Sequence, residues 1–145
     1  MSHSLSPCIG EWSGAAHTWI DPAADPEAAI WTARVDSVLD GRFTRVQYAS
    51  TVVGKAHTGE LTFGTDDVGH TMYWIDSFHT GRSPLWSVGL PGPIEVRGSY
   101  RAGDEVWGWR TAAHFDGTTL RLSMWNASPD GHEDRAIEVE LVRNA

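Results

Sequence analysis

A chain of 145 residues forms one domain, able to bury about two thirds of the surface its unfolded form exposes. Nineteen acidic residues against eleven basic ones give a net charge of −8, and the basic residues are scattered singly. That pattern excludes a phosphate-tracking stripe and with it a nucleic-acid partner. No run approaches the ~20 apolar residues that would cross a bilayer, the start from Met1 to Gly10 has no signal-peptide pattern, and the lone Cys8 has no intrachain partner. These features predict a cytoplasmic protein away from membranes, with residues 1–9 loose and Cys8 an incidental thiol.

Taken in chain order, the apolar and polar residues alternate with a period of two through ten segments, 11–20, 30–39, 42–52, 57–65, 70–78, 84–90, 94–101, 105–114, 118–126 and 135–143. Only 23–29 is helix-friendly, and Pro26 breaks it, so residues 21–29 read as a loop. Turn chemistry separates the segments: Asp40-Gly41 and Asp116-Gly117 suit tight hairpins, while 66–69 and 102–104 suit longer ones. Short links pair each strand with the next. Ten strands in such a meander either leave two exposed edges or close on themselves, which predicts an all-β fold, a single antiparallel up-and-down barrel over residues 1–145. A Greek-key sandwich would need longer connections.

Alternation assigns the faces. Met72, Trp74, Asp76 and Phe78 share one side of the fifth segment; Ile94, Val96, Gly98 and Tyr100, then Leu120, Leu122 and Met124, then Ile137, Val139 and Leu141 are the dry sides of later ones. Trp107 and Trp109 lie on one side of their strand, either stacked along a cavity wall or filling the core. Eight tryptophans exceed what the surface of a small domain absorbs, and they predict an aromatic interior with a pocket lined by Trp12, Phe43, Trp74, Trp107, Trp109 and Met124. Ile75 and Trp125 point outward on this scheme, as an apolar patch that suits a homodimer.

Asp76 is the most suggestive polar residue, a carboxylate among interior apolar side chains. It either accepts hydrogen bonds that fix the strands or acts as acid or base with His79 or His57. Arg42 and Arg110 suit a ligand carboxylate through the planar guanidinium. The histidines, at 3, 17, 57, 70, 79, 114 and 132, form neither HxH nor HExxH; only a barrel that gathered His57, His79 and His114 would make a metal site, and none is expected. No phosphate loop or GxSxG elbow is present.

Gly10-Glu11-Trp12-Ser13-Gly14, the stretch Ser37 to Phe43, Tyr73-Trp74-Ile75-Asp76-Ser77, and the closing Met124, Pro129 to Glu133, Glu138 and Arg143 together resemble a large bacterial family of domains of unknown function with a lipocalin-like barrel. The resemblance spans nearly the whole chain. It implies a calycin-type β-barrel, nearest in shape to fatty-acid-binding proteins and the haem-binding nitrobindins, and no established reaction. The helical lid of the fatty-acid-binding proteins has no counterpart in this sequence. Three functional readings follow in order: a cavity that binds a small, largely apolar or aromatic molecule, with no cofactor; an enzyme that transfers a proton through Asp76 and a histidine; and haem binding through His114 or His57.

Overall fold

The computed structural model describes residues 4–145. Its ten strands are β1 (Gly10–Thr18), β2 (Glu27–Val38), β3 (Phe43–Val52), β4 (Lys55–Thr65), β5 (His70–Asp76), β6 (Leu85–Val88), β7 (Ile94–Ala102), β8 (Glu105–Phe115), β9 (Thr119–Ala127) and β10 (Glu133–Arg143). Each pairs antiparallel with its neighbour in sequence, and β1 pairs with β10 from Trp12↔Arg143 to Thr18↔Ile137. The barrel is therefore closed, which leaves no free sheet edge.

The alternation read from the sequence gives the correct inner face. Leu61, Met72, Val96, Leu120, Leu122, Met124, Val139 and Leu141 fill the centre. Of the boundaries that differ from expectation, two bear on the site. Residues 27–29 belong to β2 and not to a loop, because they pair in register with Thr18, His17 and Ala16 of β1. β5 ends at Asp76 because that carboxylate takes up the backbone N–H groups of Phe78 and His79, which turns the chain.

Hairpins alternate between two barrel ends. One end holds Ser4 and the end of the last strand, and there part of the segment read as loose is packed: a 3₁₀ turn at Ser6–Cys8 buries Leu5 and Cys8, while residues 1–3, His3 among them, lie outside the described residues. Trp12 Nε1 donates to the Cys8 carbonyl at 2.7 Å, and the Arg143 guanidinium sits 4.5 Å from the Trp12 ring centroid. Arg143 also donates to the carbonyls of Ile9 (2.7 Å) and Pro7 (2.9 Å), so the last strand clamps the plug over the barrel. Burial pushes the Cys8 thiol up to about 11 against a smaller lowering by Arg143. The opposite, distal end carries the turns 19–26, 53–54, 77–84, 103–104 and 128–132.

The expected outer patch is different. Trp125 is covered by the Arg110 guanidinium, 3.6 Å from its ring centroid, and Arg110 is held by both carboxylate oxygens of Glu133 at 2.9 and 3.1 Å. Ile75 is half-buried, and the exposed outer apolar residues on this side are instead Tyr73, Trp86 and Val88. Among the described residues no helix is long and apolar enough to cross a membrane.

Candidate functional site

Four strands place one polar group at the distal end. Ala33, Tyr48, Gly59 and Asp76 lie side by side across β2 to β5. Gly59 is essential to the row: a Cβ there would come within 2.2 Å of Tyr48 Oη, so only the bare backbone lets the Tyr48 ring lie across β4 toward Asp76. The Tyr48 hydroxyl donates to Asp76 Oδ2 and accepts from Trp74 Nε1 at 2.9 Å. Trp31 stacks face to face on Tyr48 with centroids 3.8 Å apart.

Asp76 Oδ1 accepts from the N–H groups of Phe78 (2.7 Å) and His79 (2.8 Å), and from His79 Nδ1 at 3.2 Å. His57 Nε2 stands 3.7 Å from Oδ2. Burial pushes this carboxyl up, but the hydrogen bonds from His79 and Tyr48 outweigh it and hold Asp76 at about 2. The same proximity drives the Tyr48 hydroxyl the other way: burial, then the Asp76 charge and the hydrogen bond to it, raise it well above the ordinary tyrosine value. His57 is lowered, first by burial and then by His79, with Asp76 opposing. Near neutral pH the group is thus an ionised aspartate, a neutral tyrosine and a neutral His57.

Because a carboxylate only accepts, His79 Nδ1 carries the proton of that bond, and in the neutral ring Nε2 keeps its lone pair. The loop 77–84 folds His79 back over the barrel end, where its ring lies 5.5 Å from Trp74, 6.0 Å from Trp109 and 6.3 Å from His57 between centroids. Trp74 and Trp109 approach to 5.1 Å. Sequence alternation put His79 on the face opposite Asp76; the turn that ends β5 brings it back.

Of the residues expected to line a pocket, Trp74, Asp76, Trp107 and Trp109 occur at this end, with His57 and His79. Four others lie elsewhere. Trp12 is the plug contact at the other end, Met124 is fully buried deep in the core beside Thr111, Phe43 lies over Gly64, and Arg42 is exposed in the 39–42 turn. Trp31 and Tyr48 were missed by sequence reasoning. Their only signal was the Trp31, Ala33, Val35 and Val46, Tyr48 alternation, which shows burial but not partnership.

The centre itself is filled. Trp12, Trp74, Leu61, Met72 and Met124 are 1% exposed or less, so the wide hollow expected of so many indoles is closed in this conformation. Concavities of about 680, 620 and 200 Å³ lie on the outer face of β1–β5, beside the 66–69 and 89–93 turns, and at the plugged end. The distal end nonetheless holds unsatisfied chemistry. His57 Nδ1, Ser87 Oγ, Trp107 Nε1, Trp109 Nε1 and Thr111 Oγ1 are buried on the inner face without a hydrogen-bond partner among the described residues. Each such atom costs about 1–3 kcal/mol.

The two histidines expected to hold a haem stand on opposite faces of the barrel wall. His114 is exposed on the outer face, and the His57 ring is enclosed by Tyr48, Asp76, Phe78 and His79 with 6% of its side chain exposed. Among the described residues no cluster of three His, Cys, Asp or Glu side chains is arranged to hold a metal ion.

A family model described as "Protein of unknown function (DUF1579)" matches residues 1–143. No curated protein matches the chain. The crystal structure of Rv2717c from M. tuberculosis is similar, with a TM-score of 0.68 at 18% identity over 97% of this chain and 95% of that one. At that identity the likeness speaks for the fold alone.

Proposed function

The chain belongs to the DUF1579 family, and from its site we propose that it binds a small, largely apolar or aromatic molecule at the distal end of the barrel. One observation carries this reading: Trp31 stacks on Tyr48, Trp74 donates to Tyr48 and packs on Trp109, and His79 of a strap, residues 77–84, lies over both indoles while the strap is joined to the barrel through Asp76. A rigid aromatic wall under a loop whose Phe78 is 46% exposed is a binding surface that a modest loop movement uncovers. The ligand takes the place of His79 and Phe78 against the indoles, and Asp76 anchors the strap's hinge.

Titration of the protein with 2-isopropylnaphthalene, read by indole fluorescence, tests it. Saturable quenching weakened at least tenfold by Trp109→Leu and untouched by Trp86→Leu supports the reading. Absence of saturable quenching, or equal loss in the exposed Trp86→Leu variant, overturns it.

A second reading, proton transfer, is favoured by the Asp76–His79 pair. Asp76 is saturated with donors and stays ionised, so it positions; His79 Nε2 is the atom with a lone pair to offer. In that case His79→Gln abolishes turnover, and turnover surviving that change refutes it.

A further inference from the structure

The outer face of β5 and β6 carries an exposed aromatic pair. Tyr73 and Trp86 stand directly opposite each other in register, and Val88, opposite Thr71, is the next outward residue of β6. Among the described residues Trp86 is the one exposed tryptophan of the eight, at 57%; the others are buried or half-buried. Beside it lies the concavity of about 620 Å³, open to solvent and walled by Val68, Val88, Leu90, Pro91 and Pro93. The two turns that form this hollow are braced on each other. Gly89 N–H donates to the His70 carbonyl at 2.8 Å, His70 Nε2 donates to the Gly92 carbonyl at 2.6 Å, and Asp66 Oδ1 accepts from the N–H groups of Val68 and Gly69. Val68 and Leu90, 72% and 76% exposed, are therefore held outward on a fixed frame.

A projecting indole and an apolar hollow with room for one thus share a single surface. Trp86 and the hollow's wall at Val88 are two residues apart on one face of β6, about 7 Å. A two-fold axis between them exchanges the two features, so that both hollows are filled at once. The area also suits such a contact. The exposed fractions of Val68, Tyr73, Trp86, Val88 and Leu90 amount to about three whole side chains, or roughly 500 Å² at ~150–250 Å² for a large one. A standard interface covers ~800 Å² on each partner and is about 60% apolar, which asks for that much. The rim carries both signs, with Arg97 paired beside Val88 and Asp66 and Glu95 round the hollow, so a copy of the same face meets unlike charge as well as like. A bilayer surface finds little to hold, since Arg97 is the only lysine or arginine in the lining.

We propose that a second copy of this chain covers the face, in a two-fold dimer that seats each copy's Trp86 among the other's Val68, Leu90, Pro91 and Pro93. The contact uses the side and the plugged end of the barrel and leaves both distal ends uncovered. Because each copy carries a net charge of −8, screening favours their approach and the dimer tightens with salt.

Sedimentation equilibrium of the whole chain at micromolar concentration tests it. The expected result is a monomer–dimer equilibrium at least threefold tighter in high salt than in low salt. Trp86→Ser, which removes the projecting indole, and Leu90→Asp, which spoils the hollow, each weaken it at least tenfold; both side chains are exposed, so the far-ultraviolet circular dichroism is unchanged. An equimolar mixture of the two variants associates at least threefold more tightly than either alone. The mixed dimer keeps one intact seat, with Trp86 of the Leu90→Asp chain in the hollow of the Trp86→Ser chain. A monomer mass throughout overturns the proposal, as does association that weakens with salt or survives both substitutions. A mass that climbs past the dimer with concentration overturns the two-fold closure. A mixture no tighter than the single variants overturns the seating of Trp86 in the hollow.

Discussion

Replacing Asp76 by asparagine keeps the shape of the side chain and one carbonyl oxygen for the Phe78 and His79 N–H groups, but removes the charge. The carboxyl sits at about 2 in the folded protein against an ordinary value of 3.8, so its ionised form is bound more tightly in the folded state. That difference is worth about 2 kcal/mol of stability. Because the folded value is depressed, the contribution is complete above about pH 5 and is lost as pH falls through 3.8 toward 2. Urea unfolding of both proteins, followed by indole fluorescence, measures the gap. At pH 7 Asp76→Asn should be less stable by about 2 kcal/mol, and at pH 2.5 by under about 1 kcal/mol. A gap that is the same at both pH values, or that vanishes at pH 7, would refute the claim that the donors around Asp76 are arranged for its charge.

Gly59→Ala should destabilise by roughly 3 kcal/mol, since the new methyl displaces the Tyr48 ring and its bond to Asp76; a thermal melt within 2 °C of wild type would show that Tyr48 has room to move. Cys8, fully buried and raised to about 11, should be inert to a disulfide reagent at pH 8 in native buffer and react fully in denaturant; prompt native labelling would mean the plug is open. Val53 is an exposed β-branched residue held at φ +50° in the turn before Gly54, so Val53→Asn should raise stability by roughly 1 kcal/mol, and a loss in the urea midpoint would contradict the strain.

The barrel was legible because period-two alternation and Gly-Asp turns are local signals that short links convert directly into antiparallel neighbours. Closure followed from the cost of two edges. What the sequence hid was which end each inward residue occupies. Trp12 and Trp74 look equivalent in alternation, yet stand at opposite ends because β1 starts at the plugged end while β5 finishes at the distal one. His79 was hidden for a different reason: its place depends on a carboxylate ending the strand two residues earlier, an event that periodicity read through 78 does not contain. Gly59, Tyr48 and Asp76 come together only through register across three strands, which no short motif records. The filled centre was also illegible, since composition gives the number of indoles but not how their faces interlock.

The eight indole N–H groups give eight resonances in a ¹H–¹⁵N correlation spectrum, and titration with 2-isopropylnaphthalene reads where the probe settles. Binding at the distal end predicts that the signals of Trp31, Trp74 and Trp109 move together while those of Trp12, Trp86 and Trp125 stay in place. Shifts confined to Trp12 or Trp86, with the distal three unmoved, would contradict it.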